Sequence, residues 1–209
     1  MPYSKPVVFV VDDDISIRES LESLIRCEGW EPEIFASAQE FLNRPRVLTP
    51  SCLILDISLP DLNGLDLQKR IASDRRDMPI IFITGHGDVP MAVQAMRAGA
   101  AEFLIKPFGD EALLGAIRNS IERSHVVLRR EAETGTLRDY YASLTPRERE
   151  VLVLVVSGLS NKQVGVELGI SEITVKAHRG RVMQKMRADS LPGLVKVATR
   201  LRLTPAYRA

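Results

Sequence analysis

Five residues at four places spread along the first half of the chain are of types that could handle a phosphoryl group. Asp12 and Asp13 close the apolar run "VVFVV", Asp56 closes "CLILD", Thr84 closes "IIFIT", and Lys106 follows "EFLI". Clustered carboxylates suit a hard divalent cation such as Mg²⁺ or Mn²⁺, which prefers oxygen ligands. A carboxylate beside such an ion can attack phosphorus and form an aspartyl phosphate. A threonine hydroxyl can hydrogen-bond a phosphoryl oxygen, and lysine supplies a compact positive charge. Pro107 follows the lysine, and an X–Pro bond can be cis at modest cost. Adjacent ionised carboxylates repel one another, so the aspartates need a cation, water or hydrogen bonds to offset that cost.

Those residues converge only if the apolar runs are strands of one parallel sheet. The first half alternates short apolar runs with helix-like segments five times. Val7 to Val11, Cys52 to Asp56, Ile80 to Thr84 and Glu102 to Ile105 read as strands, with "PEIFA" a weaker one. Runs without polar alternation belong to strands buried on both faces. The segments between them (Ser16 to Glu28, Ala38 to Leu42, "LDLQKRI", Val89 to Ala98 and Asp110 onward) read as helices. This alternation predicts a parallel sheet covered on both faces, with right-handed crossovers. All strand ends then lie on one edge, where open α/β sheets bind ligands. Asp14 is expected to cap the first helix. Taken singly, Asp56 could merely end a strand and Lys106 could be a structural ion-pair partner. "GHGDVP" is a glycine-rich loop without the Gly-Lys-Ser/Thr ending of a P-loop, and His86 in it is expected to be a loop histidine.

From Leu144 the pattern is purely helical. Thr145, Pro146 and Glu148 form a capping-box arrangement, Gly158 and Gly169 end two helices, and Ser171 caps a third, "EITVKAHRGRVMQKM". Asp189 or Ser190 starts a fourth. Two of these helices, separated by a glycine-containing turn, have the layout of a helix-turn-helix. At about 100° per residue, Val175, Val182 and Met186 face a core, while Ile173, Lys176, Ala177, Gly180 and Gln184 lie opposite. Thr174, Arg181 and Lys185 flank that face, and Asn161 and Lys162 lie on the preceding helix. Small residues with basic flanks suit a helix entering a major groove. The competing reading is a small basic bundle for protein contacts. Arg179 falls toward the core and is expected to pair with Glu148 or Glu150.

Charge divides the chain in the same way. Residues 1–125 carry 13 Lys+Arg against 19 Asp+Glu, and residues 126–209 carry 15 against 8. An acidic half and a basic half suggest two domains with different partners, the basic one facing a polyanion. The charged stretch from Arg123 to Ser143 reads as an outgoing helix, interrupted at Gly135, and then a linker. No apolar run approaches the roughly 20 residues of a membrane span, and the N-terminus lacks a secretory h-region. Cys27 and Cys52, both in apolar contexts, read as buried free thiols in a reducing cytoplasm.

The segments "VVDDD", "LILDISLPDLNGLDL" and "ITGHGDVPMAVQAMRAGAAEFLIKPF" are similar to the receiver domain of two-component response regulators. The similarity covers roughly residues 5 to 125. It implies a flavodoxin-like fold with Asp56 as phosphoacceptor. It also implies a metal site of Asp12, Asp13, Asp56 and the backbone carbonyl of Ser58. Thr84 and Lys106 would contact the phosphoryl group, and Phe103 would reorient with Thr84. Met91, Val93, Met96 and Phe103 form either a core stripe or a dimer face, and the resemblance favours the dimer face. The segment "LTPREREVLVLVVSGLSNKQVGVELGISEITVKAHRGRVMQKM" resembles the LuxR/NarL-type four-helix output domain, over roughly residues 140 to 203. Carried over, Lys176 and Ala177 meet base edges, while Gly180 stands where some members carry a basic residue.

Together the halves look like a FixJ-type response regulator: a receiver over 1–125, a partly helical linker over 126–143 and a helix-turn-helix domain over 144–209. The expected protein is a cytoplasmic bacterial transcription factor without enzymatic turnover and without a membrane partner. A sensor histidine kinase phosphorylates Asp56, the protein dimerises, and paired output domains bind promoter DNA, with RNA polymerase as a further partner. Two other classes remain: an Mg²⁺-dependent phosphohydrolase using Asp56, for which no general acid/base can be placed, and a DNA-binding protein whose receiver only dimerises.

Overall fold

The computed structural model describes residues 5–85 and 88–203, so the expectation for His86 lies outside the described residues. The chain divides into two compact units, residues 1–129 and 130–209. Five parallel strands form the first: β1 (Val7–Val11), β2 (Glu31–Phe35), β3 (Ser51–Asp56), β4 (Ile80–Thr84) and β5 (Glu102–Ile105). Their order is β2-β1-β3-β4-β5, the flavodoxin-like order with its topological switch between β1 and β3. The helices α1 (Ile15–Cys27), α2 (Ala38–Asn43), α3 (Gly64–Ile71) and α4 (Val89–Arg97) connect the strands, and α5 (Asp110–Ala142) follows β5.

The two-residue period of a strand sorts the central side chains into two cores. Phe9, Val11, Leu53, Leu55 and Phe82 point to one face, where Phe41 of α2, Leu67 and Ile71 of α3 and Ala95 of α4 cover them. Val8, Val10, Ile54, Ile81 and Ile83 point to the other, under Leu21 and Ile25 of α1 and Leu113 and Ile117 of α5. Burial on both faces is why β1, β3 and β4 have no polar alternation, and an edge position is why β2 gave the weaker signal.

Three local expectations change. The helix after β5 is not interrupted at Gly135; α5 runs unbroken to Ala142. One glycine costs a helix only about 1 kcal/mol, too little to break a long one. Cys27 is exposed at the end of α1, whereas Cys52 is buried in β3, where burial pushes its thiol pKa far up. Met91 and Phe103 are half-buried and pack against the first core. The apolar surface of α4 and β5 is instead Val89, Val93, Met96 and Ile105, so only two of the four expected dimer-face residues are open.

The second unit contains α6 (Pro146–Val156), α7 (Asn161–Leu168), α8 (Glu172–Lys185) and α9 (Leu191–Arg200). Thr145 and Glu148 form the expected capping box on α6, Ser160 and Gln163 form another on α7, and Ser171 and Ser190 cap α8 and α9. Val151, Leu152, Val155, Val164, Val175, Val182, Met186 and Leu194 close one core. Gly165 admits the turn between α7 and α8: a Cβ there would lie 2.7 Å from the Ile170 carbonyl oxygen.

Within this core Glu148 is 2% exposed and its carboxylate lies 2.7 Å from Lys185 Nζ. The Lys185 hydrogen bond, reinforced by the Thr145 amide, holds the Glu148 carboxyl below the usual range. Its contribution to stability is therefore complete above the unfolded glutamate value and fades as pH falls through the lower folded one. Lys185→Ala should cost about 1–3 kcal/mol at pH 7 by stranding a buried carboxylate. That deficit should shrink in acid, as seen by amide hydrogen exchange across α6 and α8 in the full chain.

Candidate functional site

The carboxyl ends of β1, β3, β4 and β5 bring the predicted residues together. Asp12 and Thr84 are fully buried and Asp56 is 6% exposed, whereas Asp13 is exposed. Asp12, Asp13 and Asp56 offer three carboxylate oxygens lying within 4.8 Å of one another. Lys106 Nζ sits 2.7 Å from both Asp12 Oδ2 and Asp56 Oδ2, and the Lys106–Pro107 peptide is cis. The opening electrostatic problem is thus answered first by an ammonium shared between two carboxylates.

Burial is the largest influence on Asp12 and moves its carboxyl above the usual range, against the pull of Lys106. Burial also acts to lower the Lys106 ammonium, but its bonds to Asp12 and Asp56 outweigh that, and the net shift is upward. The lysine therefore stays charged at neutral pH. The oxygen-only donor set, with exposed Asp13 open to solvent, fits a hard divalent cation that keeps several waters.

The backbone around these side chains is held in part by Arg18, Gly64 and Asp61, which the sequence did not single out. Arg18 of α1 donates to the Asp12 carbonyl at 2.7 Å, and the Asp14 amide donates to Asp12 Oδ1 at 2.9 Å. Asp14 caps α1 as expected, accepting from the Ser16 amide at 2.9 Å. The Ser58 amide donates to Asp56 Oδ1 at 2.8 Å. The Lys106 amide donates to the Thr84 carbonyl at 2.8 Å, and Thr84 pairs with Ile105 in the sheet. Gly64, the first residue of α3, passes so close to β3 that a Cβ would lie 2.6 Å from the Asp56 carbonyl oxygen. Asp61 accepts from the Gln39 and Ala38 amides at 2.9 and 3.3 Å, tying the loop after β3 to the start of α2. Pattern signals find strand ends; these long-range backbone contacts leave none.

A second candidate surface lies on α8. Val175, Val182 and Met186 are buried, as predicted, while Ile173, Thr174, Lys176, Ala177, Gly180, Arg181 and Gln184 are exposed. No atom outside the helix's own backbone lies within 4 Å of a Cβ built at Gly180. Lys162, Lys176 and Arg181 have no ion-pair partner among the described residues. The guanidinium of Arg179 differs from expectation: it donates to Asn161 Oδ1 at 3.0 Å, because Glu148 is taken by Lys185 and Glu150 by Arg147. Lys185 is likewise half-buried and turned to Glu148, which removes it from the open face.

No helix among the described residues is long and apolar enough to cross a membrane. The family profile for the response regulator receiver domain matches residues 8–118, and that for bacterial regulatory proteins of the luxR family matches residues 142–198. Nodulation protein W of Bradyrhizobium diazoefficiens is 49% identical over 203 residues, covering 96% of this chain and 88% of that protein. The transcriptional regulatory protein FixJ of Azorhizobium caulinodans is 43% identical over 206 residues, covering 99% and 97%. The solved structure of response regulator StyR superposes with a TM-score of 0.83 at 45% identity, covering 94% of this chain and all of that one. With its 2-1-3-4-5 sheet, its strand-end acidic cluster and its helix-turn-helix, the chain belongs to the FixJ-type two-component response regulators, which join a receiver domain to a LuxR-type DNA-binding domain.

Proposed function

We propose that a sensor histidine kinase phosphorylates Asp56 and that this charge controls how the basic unit binds promoter DNA. The observation that carries this reading is Lys106 Nζ held 2.7 Å from both Asp12 and Asp56. In the transfer an Asp56 carboxylate oxygen attacks phosphorus. The bond to the kinase's imidazole nitrogen breaks, and its electron pair leaves with a ring whose other nitrogen carries the proton. Asp12, Asp13, Asp56 and the Ser58 carbonyl would hold a Mg²⁺ or Mn²⁺ ion, which supplies positive charge for the transferring oxygens.

Once Asp56 is an acyl phosphate, Lys106 exchanges a carboxylate oxygen for a phosphoryl oxygen, and the buried Thr84 hydroxyl turns toward the same group. Thr84 lies on β4 just before α4, and Phe103 lies on the neighbouring β5 opposite Phe82, packed against the first core. A change in these side chains alters the apolar surface of Val93 and Met96, and two receivers pair through it. The continuous helix α5 carries the chain from one unit into the other, and paired helix-turn-helix domains over 144–209 then engage two half-sites and recruit RNA polymerase. Lys176, Ala177 and Gly180 approach base edges. Thr174, Arg181, Lys162 and the Asn161 amide approach phosphates.

The test is selection of random duplex DNA by the phosphorylated protein, then anisotropy titration of the selected site. Phosphorylation should tighten binding at least tenfold. Lys176→Ala should lose roughly 10-fold or more for the selected site, as expected for one base contact. Lys162→Ala should weaken all sequences alike and reduce the salt slope by about one. Equal affinity with and without phosphate would favour a receiver that only dimerises.

A further inference from the structure

At the opposite edge of the sheet from Asp56, a cavity of about 190 Å³ opens where β4 begins, between the ends of α3 and α4 and the middle of α5. Its wall includes Ile71, Met78, Ile80 and Val127, and three arginines, Arg75, Arg76 and Arg123, line it as well. None of its lining residues is acidic. The nearby Asp77 carboxylate is already paired with Arg46 at 2.7 Å. Arg75 is held in place, its guanidinium stacked 4.6 Å from the Phe41 ring centroid and bonded to the Arg44 carbonyl. Arg76 and Arg123 are exposed and have no hydrogen-bond or ion-pair partner among the described residues.

Arginines beside the ends of α3 and α4 would be ordinary if they only balanced the helix dipoles. The magnitudes argue for more. Arg75 interacts with Asp77 and Asp74, and each helix C-terminus carries about −0.5 charge, so two of them offset about one of the remaining two guanidiniums. The cavity keeps an excess of positive charge with apolar walls beneath it. An apolar cavity of about 150 Å³ is enough to admit benzene, and this one, at about 190 Å³ over its polar and apolar parts together, has room for a body about the size of a single ring. Planar guanidiniums match a carboxylate through two parallel hydrogen bonds.

We propose that this cavity binds a small organic carboxylate whose apolar body is about one ring in size, with Arg76 and Arg123 on the carboxylate and Ile71, Met78 and Val127 around the ring. The site touches Ala98 and Gly99, directly after α4. Gln68 ties that end of α4 to α3, donating to the Ala98 carbonyl at 3.2 Å. On the proposed function, in which phosphorylation changes the α4 surface, an occupant that prefers one position of α4 shifts phosphorylation reciprocally.

The experiment is calorimetric titration of the full-length protein with benzoate, with benzyl alcohol and inorganic phosphate as controls, on the parent and on Arg76→Ala/Arg123→Ala. Both arginines are exposed, so the double variant should keep its fold, checked by circular dichroism. Benzoate should bind one-to-one with saturation in the millimolar range or tighter. The double variant should bind at least tenfold more weakly, and neither control should saturate. No saturation by benzoate, unchanged binding in the double variant, or equal binding of phosphate would each overturn the proposal.

Discussion

Gly64→Val is expected to destabilise the protein by about 2–4 kcal/mol and to slow uptake of a phosphoryl group at least tenfold. The cause is local and steric. A Cβ at residue 64 would lie 2.6 Å from the Asp56 carbonyl oxygen and 3.0 Å from Ile57 Cα. Both are backbone atoms at the end of a strand buried on both faces, so no flexible side chain can yield. The Gly64 amide also donates to the Ile57 carbonyl at 3.0 Å, which fixes the approach. Overpacking a well-packed interior costs about 1–3 kcal/mol, and the two further methyl groups of valine add to it. Relief requires moving the segment that carries Asp56 relative to Lys106. Urea denaturation gives the first number and acetyl phosphate uptake the second. An unchanged midpoint would show that the loop has room the distances do not suggest.

Lys106→Met should give the other large effect, one that depends on metal. The lysine is the counter-charge of two buried carboxylates, each 2.7 Å away. Removing one partner of a buried ion pair typically costs about 3–5 kcal/mol, because the remaining charge is stranded. Here two negative charges remain together, so in chelator the variant should be destabilised by about that amount. A divalent cation binding the folded but not the unfolded state stabilises by mass action. The same carboxylates bind it more tightly once the competing ammonium is gone. Mg²⁺ should therefore recover more of the loss in Lys106→Met than it adds to the parent. Thermal melts in chelator and in millimolar Mg²⁺ measure this. A variant as stable as the parent without metal would mean that Asp12 takes up a proton in place of the ion pair.

How much of this could be read before the structure differs by physical cause. The strand ends were legible because burial on both faces forbids polar alternation, leaving Asp12, Asp56, Thr84 and Lys106 as abrupt polar stops. The inward stripe of α8 was legible from helical period alone. The partners of Arg179 and Lys185 were not: which of them reaches Glu148 on α6 and which reaches Asn161 on α7 depends on how α8 is seated, which periodicity does not encode. Met91 and Phe103 were misplaced for a related reason. An apolar side chain on a half-covered helix or edge strand has the same sequence signal whether it turns to the core or to solvent. Arg18, Asp61 and Gly64 were missed because their roles are backbone contacts across the fold. Gly135 misled because a glycine inside a long, charged helix looks the same as a linker residue.

The central claim is that Asp56 is the group that accepts phosphate. Intact mass after incubation with acetyl phosphate and Mg²⁺, beside an Asp56→Asn control, tests it most directly. One added phosphoryl group on the parent and none on the folded control is the predicted result. Equal uptake by Asp56→Asn would contradict it, because the acceptor would then lie elsewhere.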